Sequence, residues 1–257
     1  MISVGCSSEW FLELSKFRGC VMYPHFRLVG HRLCPYVQRV SMVMAACSID
    51  HERVDILLED KPDWLFDISA TGKVPGLVVD HGRVLFEAAA ICEYLDDLTG
   101  KTLLPRDPYE RGLHRGLIAL GEQILSLTAM LIYQAPTEDA VDATVAQITQ
   151  RFEILADHVG TKPMEVQGRL GLLDFVFATV FRPFPLLSVG LNRDFYAGMD
   201  RLKDWSIKLS GHDIIQNAVP RSYLAEMQKF IAMKEGYLAR RLAVLPPVHL
   251  AYRQGTG

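Results

Sequence analysis

At 257 residues, 49% of them apolar and 22% charged, with a net charge of −3, the chain has the make-up of a soluble globular protein with room for two modest domains. Arginine and lysine are scattered rather than clustered, which argues against a nucleic-acid surface. The most apolar late window, 171–191, carries Asp174, Arg182, Pro183 and Pro185 and is too interrupted to span a bilayer, so no membrane partner is expected. The five cysteines (Cys6, Cys20, Cys34, Cys47 and Cys92) are odd in number and lack Cys-x-x-Cys spacing. They argue against a disulfide framework or a zinc knuckle and for a reducing compartment. The N-terminus lacks a basic segment followed by an apolar core, so the chain is expected to be cytoplasmic.

Residues 1–24 fit no motif and are set apart as a leader of unassigned role. The apolar alternation at 26–30 predicts a strand, and Pro35 opens a helix that runs to about Ala46. Proline is favoured at the first helical position because its missing N–H had no partner there. Cys34 therefore sits at a strand-to-helix turn, facing free amides and the positive end of a helix dipole, which favour thiolate over thiol. Arg32 and Arg39 add to that field. Residues 52–57 alternate as a second strand, and Lys61 to Leu65 begin a short helix with Pro62 near its first turn. Two further strands, 75–80 and 83–86, flank a turn at His81 and Gly82, and Glu87 opens a helix to about Leu98.

The order β-α-β-α-β-β-α over 25–98 is satisfied by a thioredoxin-like layer. Its first two strands are parallel through a crossover helix, and its last two form an antiparallel hairpin. Residues 99–108, rich in breakers, form a linker. Beyond it, helices are expected at 109–134, 137–159, 172–187, 195–209 and 222–242, giving an all-helical domain at 109–245 and a tail at 246–257. The fold class is α+β with two domains.

Several motifs, in order over 26–110, resemble the cytosolic glutathione transferases, and most of all the omega class and its bacterial relatives. Cys34-Pro35-Tyr36-Val37-Gln38-Arg39 matches the omega nucleophile motif, and Lys61-Pro62-Asp63-Trp64 the family's Lys-Pro-x-Trp. Val74-Pro75 matches the Val-Pro before the third strand, whose proline is cis in the family. Glu87 with Ile91 to Asp96 matches the Glu-Ser helix start and its continuation, and Leu103 to Glu110 the linker. In the helical half only Asp174, Trp205 and Asn217 to Pro220 fit.

The resemblance implies the glutathione transferase fold, Cys34 as nucleophile and glutathione as cosubstrate, without a metal. Val74 would pair with the backbone of an extended tripeptide. Lys61 would meet its glycine carboxylate, and Glu87 its γ-glutamyl ammonium. Ala88 stands where the family has serine, so a backbone N–H remains at the helix start but a hydroxyl is gone, a loss of roughly 1 kcal/mol. Gly171 replaces the Ser or Thr of a buried N-cap ahead of Asp174.

Val37 occupies the place of the resolving cysteine of dithiol glutaredoxins. Cys34 would thus be released by an external thiol, and the implied chemistry is thiol transfer, reduction or deglutathionylation through a Cys34–glutathione mixed disulfide. The second substrate would be a small electrophile, disulfide or thioether, and the family implies a homodimer. The alternative is a non-catalytic binding or scaffold protein of the same fold. His31 is a candidate proton shuttle. Tyr133, Phe181, Tyr223 and Tyr237 are candidates to line a second-substrate pocket, with core packing as the default for each. Cys47 and Cys92 are expected as core fillers.

Overall fold

Alternation along Phe26–Gly30 (β1) sends Phe26 and Leu28 to one face of a sheet and Val29 to the other, as a period of two requires. Glu52–Asp55 (β2) pairs parallel to β1, with Leu28 opposite Arg53, and Gly76–Val79 (β3) pairs antiparallel on its other side, with Leu28 opposite Leu77. Arg83–Phe86 (β4) completes the order β2-β1-β3-β4. The computed structural model describes residues 24–57, 60–80, 82–100, 102–159 and 166–248. The leader (Pro24 apart), Cys6, Cys20, His81 and all of the tail beyond Val248 lie outside them. The hairpin turn expected at His81 and Gly82 is wider than two residues, because β3 ends at Val79 and Asp80 joins the turn with a φ of 30°.

Helices Pro35–Ala46 (α1) and Ala88–Leu98 (α3) cover the face of Phe26, Leu28, Leu77 and Val79, and bury Val37, Val40, Ile91 and Leu95 there. The short Leu65–Ile68 (α2) covers the opposite face, where Leu65 joins Val29 and Ile56. This is the thioredoxin-like layer that the sequence predicts.

The remainder is helical: Pro108–Tyr133 (α4), Glu138–Val159 (α5), Leu172–Phe181 (α6), Phe184–Leu191 (α7), Asp200–Ser210 (α8), Asp213–Asn217 (α9), Tyr223–Ala232 (α10) and Tyr237–Ala243 (α11). All ten residues of α6 are buried, and α6 packs against both α1 and α4. Two expected helices are each split in two. The stretch 172–187 breaks at Arg182 and Pro183, since proline removes a backbone donor and its ring clashes with the preceding turn. The stretch 222–242 breaks before Gly236, whose extended backbone lets Tyr237 N–H donate to Ala135 O at 3.0 Å, docking α11 on the end of α4. The helix expected from 195 starts at Asp200, and α9 is too short for a periodic signal.

Phe152, Phe181, Phe184, Tyr196 and Trp205 form the aromatic centre of this half, with Phe152 stacked on Tyr196 at 5.5 Å. Asp174 is buried beneath them and accepts hydrogen bonds from Gly171 N at 2.8 Å and Trp205 Nε1 at 3.1 Å. The glycine at 171 has a steric reason. A Cβ there would meet Leu103 O at 2.9 Å and Val166 Cγ2 at 2.7 Å, because residues 102–105 cross close over the start of α6 and Leu103 O accepts from Leu172 N.

Candidate active site

The end of β1 and the start of α1 are pressed together: a Cβ on Gly30 would lie 2.5 Å from Val37 Cγ1. The intervening loop closes with Cys34 N donating to His31 O at 2.9 Å, and Cys34 caps α1 with Pro35 following. Its Sγ lies 3.9 Å from Val74 O, and the Val74–Pro75 peptide is cis. Burial pushes the Cys34 thiol up, and this outweighs the opposing pull of the Val37 and Tyr36 amides and of Arg39 and Arg53. The expected preference for thiolate is therefore corrected. The amides at the helix N-terminus act in the predicted direction, but desolvation by burial overrides them.

Cys92 is fully buried and its thiol is pushed up to about 12 by desolvation, whereas the half-buried Cys47 accepts from Thr99 Oγ1 at 3.4 Å. Neither lines the cavity onto which Cys34 opens.

The residues predicted for the peptide side gather along the sheet edge. Gly76 pairs with Phe86, so Glu87 follows directly beside Pro75. Glu87 caps α3 at a φ of 69°, a left-handed backbone that a non-glycine residue adopts only where its surroundings impose it. Ala88, the first residue of α3, is buried. Lys61 is exposed, and its Nζ donates to Gly72 O at 3.1 Å, which ties it to the loop that leads to Val74. Tyr36, Glu87, Ala88 and Arg39 line a cavity of about 440 Å³. Arg39 is wholly buried, pairs with Glu122 and lies over the Tyr36 ring at 5.4 Å. Burial and then Glu122 push the Tyr36 phenol up to about 12.

On the other side of Tyr36, Cys34 opens into a second cavity of about 410 Å³, walled by Leu125, Thr179, Tyr223, Met227 and Phe230. His31 also lines it, with Nδ1 accepting from Leu33 N at 3.3 Å. Of the four aromatics singled out from sequence, Tyr133 and Tyr223 face this cavity. Phe181 instead packs on Phe152 and Trp205, and Tyr237 sits under Arg241. Sequence reasoning missed Leu125, Met227 and Phe230. They come from α4 and α10, and only tertiary packing brings those helices to α1.

A thioredoxin-like sheet with a cysteine capping its first helix, followed by a mostly helical remainder, is the architecture of the glutathione transferases. Among solved structures, a rice glutathione transferase (GST1, OsGSTU1) in complex with glutathione has a TM-score of 0.72 at 20% identity, with 82% of this chain and 96% of that chain covered. The family described as Glutathione S-transferase, N-terminal domain, matches residues 33–98. Glutathione S-transferase omega-1 of Rattus norvegicus is 36% identical over 188 residues, which cover 72% of this chain and 78% of that protein. Its counterpart from Sus scrofa is 37% identical over 153 residues, which cover 58% of this chain and 63% of that protein. The chain belongs to the glutathione S-transferase family, in its omega class.

Proposed function

We propose that this protein catalyses glutathione-dependent thiol transfer, with Cys34 as nucleophile. The observation that carries this reading is the Cys34 thiol, set at a helix start, open to a cavity and facing the Val74 carbonyl, with Val37 where a resolving thiol would stand. Glutathione lies extended along the loop. It pairs with the backbone of Val74, whose N–H has no backbone partner among the described residues. Its glycine carboxylate meets Lys61 and its γ-glutamyl ammonium meets Glu87. The γ-glutamyl carboxylate takes the N–H groups at the start of α3, beside Ala88.

The cycle has two exchanges. The Cys34 thiolate attacks the glutathionyl sulfur of a mixed disulfide, forms the Cys34–glutathione disulfide and expels the acceptor as its thiolate. A second glutathione thiolate then attacks that disulfide, frees Cys34 and leaves as oxidised glutathione. The raised thiol lowers the thiolate fraction at rest, but the thiolate that does form is more nucleophilic. The same geometry serves reduction and the removal of glutathione from thioethers. The exposed Trp64, Phe66 and Phe86 of the sheet half offer an apolar face to a second copy of the chain, in keeping with a homodimer, and we place the protein in the cytoplasm.

Intact-mass and peptide-mapping measurements after exposure to oxidised glutathione test the reading. The expected result is one adduct on Cys34, reversed by reduced glutathione and absent in Cys34→Ser. No adduct, or an adduct spread over several cysteines, would favour a scaffold role instead, a reading to which the missing hydroxyl at Ala88 lends itself.

A further inference from the structure

The hydroxyls around the Cys34 cavity have unequal freedom. Ser126, Thr128 and Thr179 donate back into their own helices, to Glu122 O at 2.9 Å, Ile124 O at 2.9 Å and Val176 O at 2.7 Å. Tyr36 lies against the Glu122 carboxylate, which can only accept its hydrogen. Tyr223 is different because of what Gln38 presents to it. Gln38 is wholly buried, and Arg182 Nη1 donates to its Oε1 at 2.5 Å, while its Nε2 donates to Arg32 O at 3.0 Å. A guanidinium can only donate and a carbonyl can only accept, so this amide has one orientation. Gln38 therefore turns its amide N–H rather than its carbonyl to the Tyr223 phenol, and it draws that phenol's pKa down. The ring is held by the Arg182 guanidinium, 5.6 Å from its centroid. Among the described residues no hydrogen bond takes the phenol's own hydrogen, and the Tyr223 side chain lines the cavity that Cys34 shares.

We propose that the Tyr223 hydroxyl is a catalytic residue that donates a hydrogen bond to the sulfur leaving from the acceptor as Cys34 takes the glutathionyl group. The inference rests on the thiol-transfer reading above. In that step the Cys34–sulfur bond forms and the S–S bond breaks, and the bonding pair moves onto the acceptor sulfur. Tyr223 faces the acceptor's side of the cleft, opposite the peptide side at Val74, so its donor meets that charge as it develops. Burial pushes the phenol up to about 12, with Arg182 and Gln38 opposing, so it keeps its proton at neutral pH. A leaving thiol is ordinarily a stronger acid, with a pKa of about 8.5. The hydrogen is therefore shared rather than transferred, and the departing thiolate takes its proton from water.

The test is full-length Tyr223→Phe, which keeps the ring and removes the donor, assayed with mixed disulfides of glutathione that differ in the acidity of the leaving thiol. Leaving-group acidity governs such exchanges, and a donor matters most where the departing charge is least stable. The expected loss in kcat/KM is about tenfold for alkyl thiols and within about twofold for a nitroaryl thiol. Alkylation of Cys34 by iodoacetamide should be unchanged, which reports an intact nucleophile. An equal loss across the series, or no loss, overturns the proposal and leaves thiol transfer standing. Absence of turnover in the unmodified protein removes both. If Tyr223→Phe disturbs the fold, a fluorinated tyrosine at 223 replaces it. Its more acidic phenol should flatten the dependence on leaving thiol, and an unchanged slope overturns the proposal.

Discussion

In the sheet half, each site residue is placed by a contact short in sequence: Cys34 caps the helix that follows it, Glu87 caps α3, and Lys61 is tied to Gly72. In the helical half, Leu125, Thr179, Tyr223 and Phe230 reach the same cleft from three helices, and α6, the central one, is wholly buried. The first wall is fixed by local backbone geometry and the second by long-range packing. A substitution on the peptide side should therefore change glutathione affinity with little effect on stability. One beneath the helical wall should unfold the protein before it alters the chemistry.

The largest effect is expected at Asp174. Asp174→Ala leaves the Gly171 amide and the Trp205 indole without their buried acceptor, and should cost about 3–4 kcal/mol, a fall in Tm on the order of 10 °C by thermal unfolding. A fall of only a degree or two would show that the helical wall does not depend on this network. Glu122→Ala comes next, because it strips the fully buried Arg39 of its counter-charge across the two halves. A loss of about 2–3 kcal/mol in urea unfolding is expected, lessened by the partial exposure of Glu122.

Peptide-side changes should be smaller and confined to binding. Lys61→Ala is expected to raise the KM for glutathione about fivefold, less at high salt, with alkylation of Cys34 unaltered. A matching loss of stability would place Lys61 in the scaffold rather than the site. Ala88→Ser restores a donor at the start of α3 and should tighten glutathione a few-fold by calorimetry, in line with one hydrogen bond of about 1 kcal/mol. The smallest effect is on the nucleophile itself. Burial disfavours its charged form, so the rate of Cys34 alkylation should still be rising at the ordinary thiol pKa of about 8.5, and a plateau below pH 8 would contradict the desolvation.

The strands with their parallel first pair and antiparallel last pair, the Cys34 turn and the start of α3 were legible in the sequence because each follows from a period of two, a proline at a helix start or a short motif. The same local logic misplaced the helix breaks near Pro183 and Gly236. Apolar residues resume soon after each break, and at Gly236 the chain turns to dock Tyr237 N–H on Ala135 O just past the end of α4. It also gave the wrong sign for the Cys34 thiol. The amides come with the local turn, but burial is a property of the folded molecule that the local turn does not reveal. By itself the sequence determined the thioredoxin-like layer and the place of Cys34 at a helix start, since those depend on neighbours along the chain. Only the tertiary structure decided which side chains wall the cavity beside Cys34 and in which direction burial moves its thiol. Each of those depends on which distant side chains exclude water from one small volume.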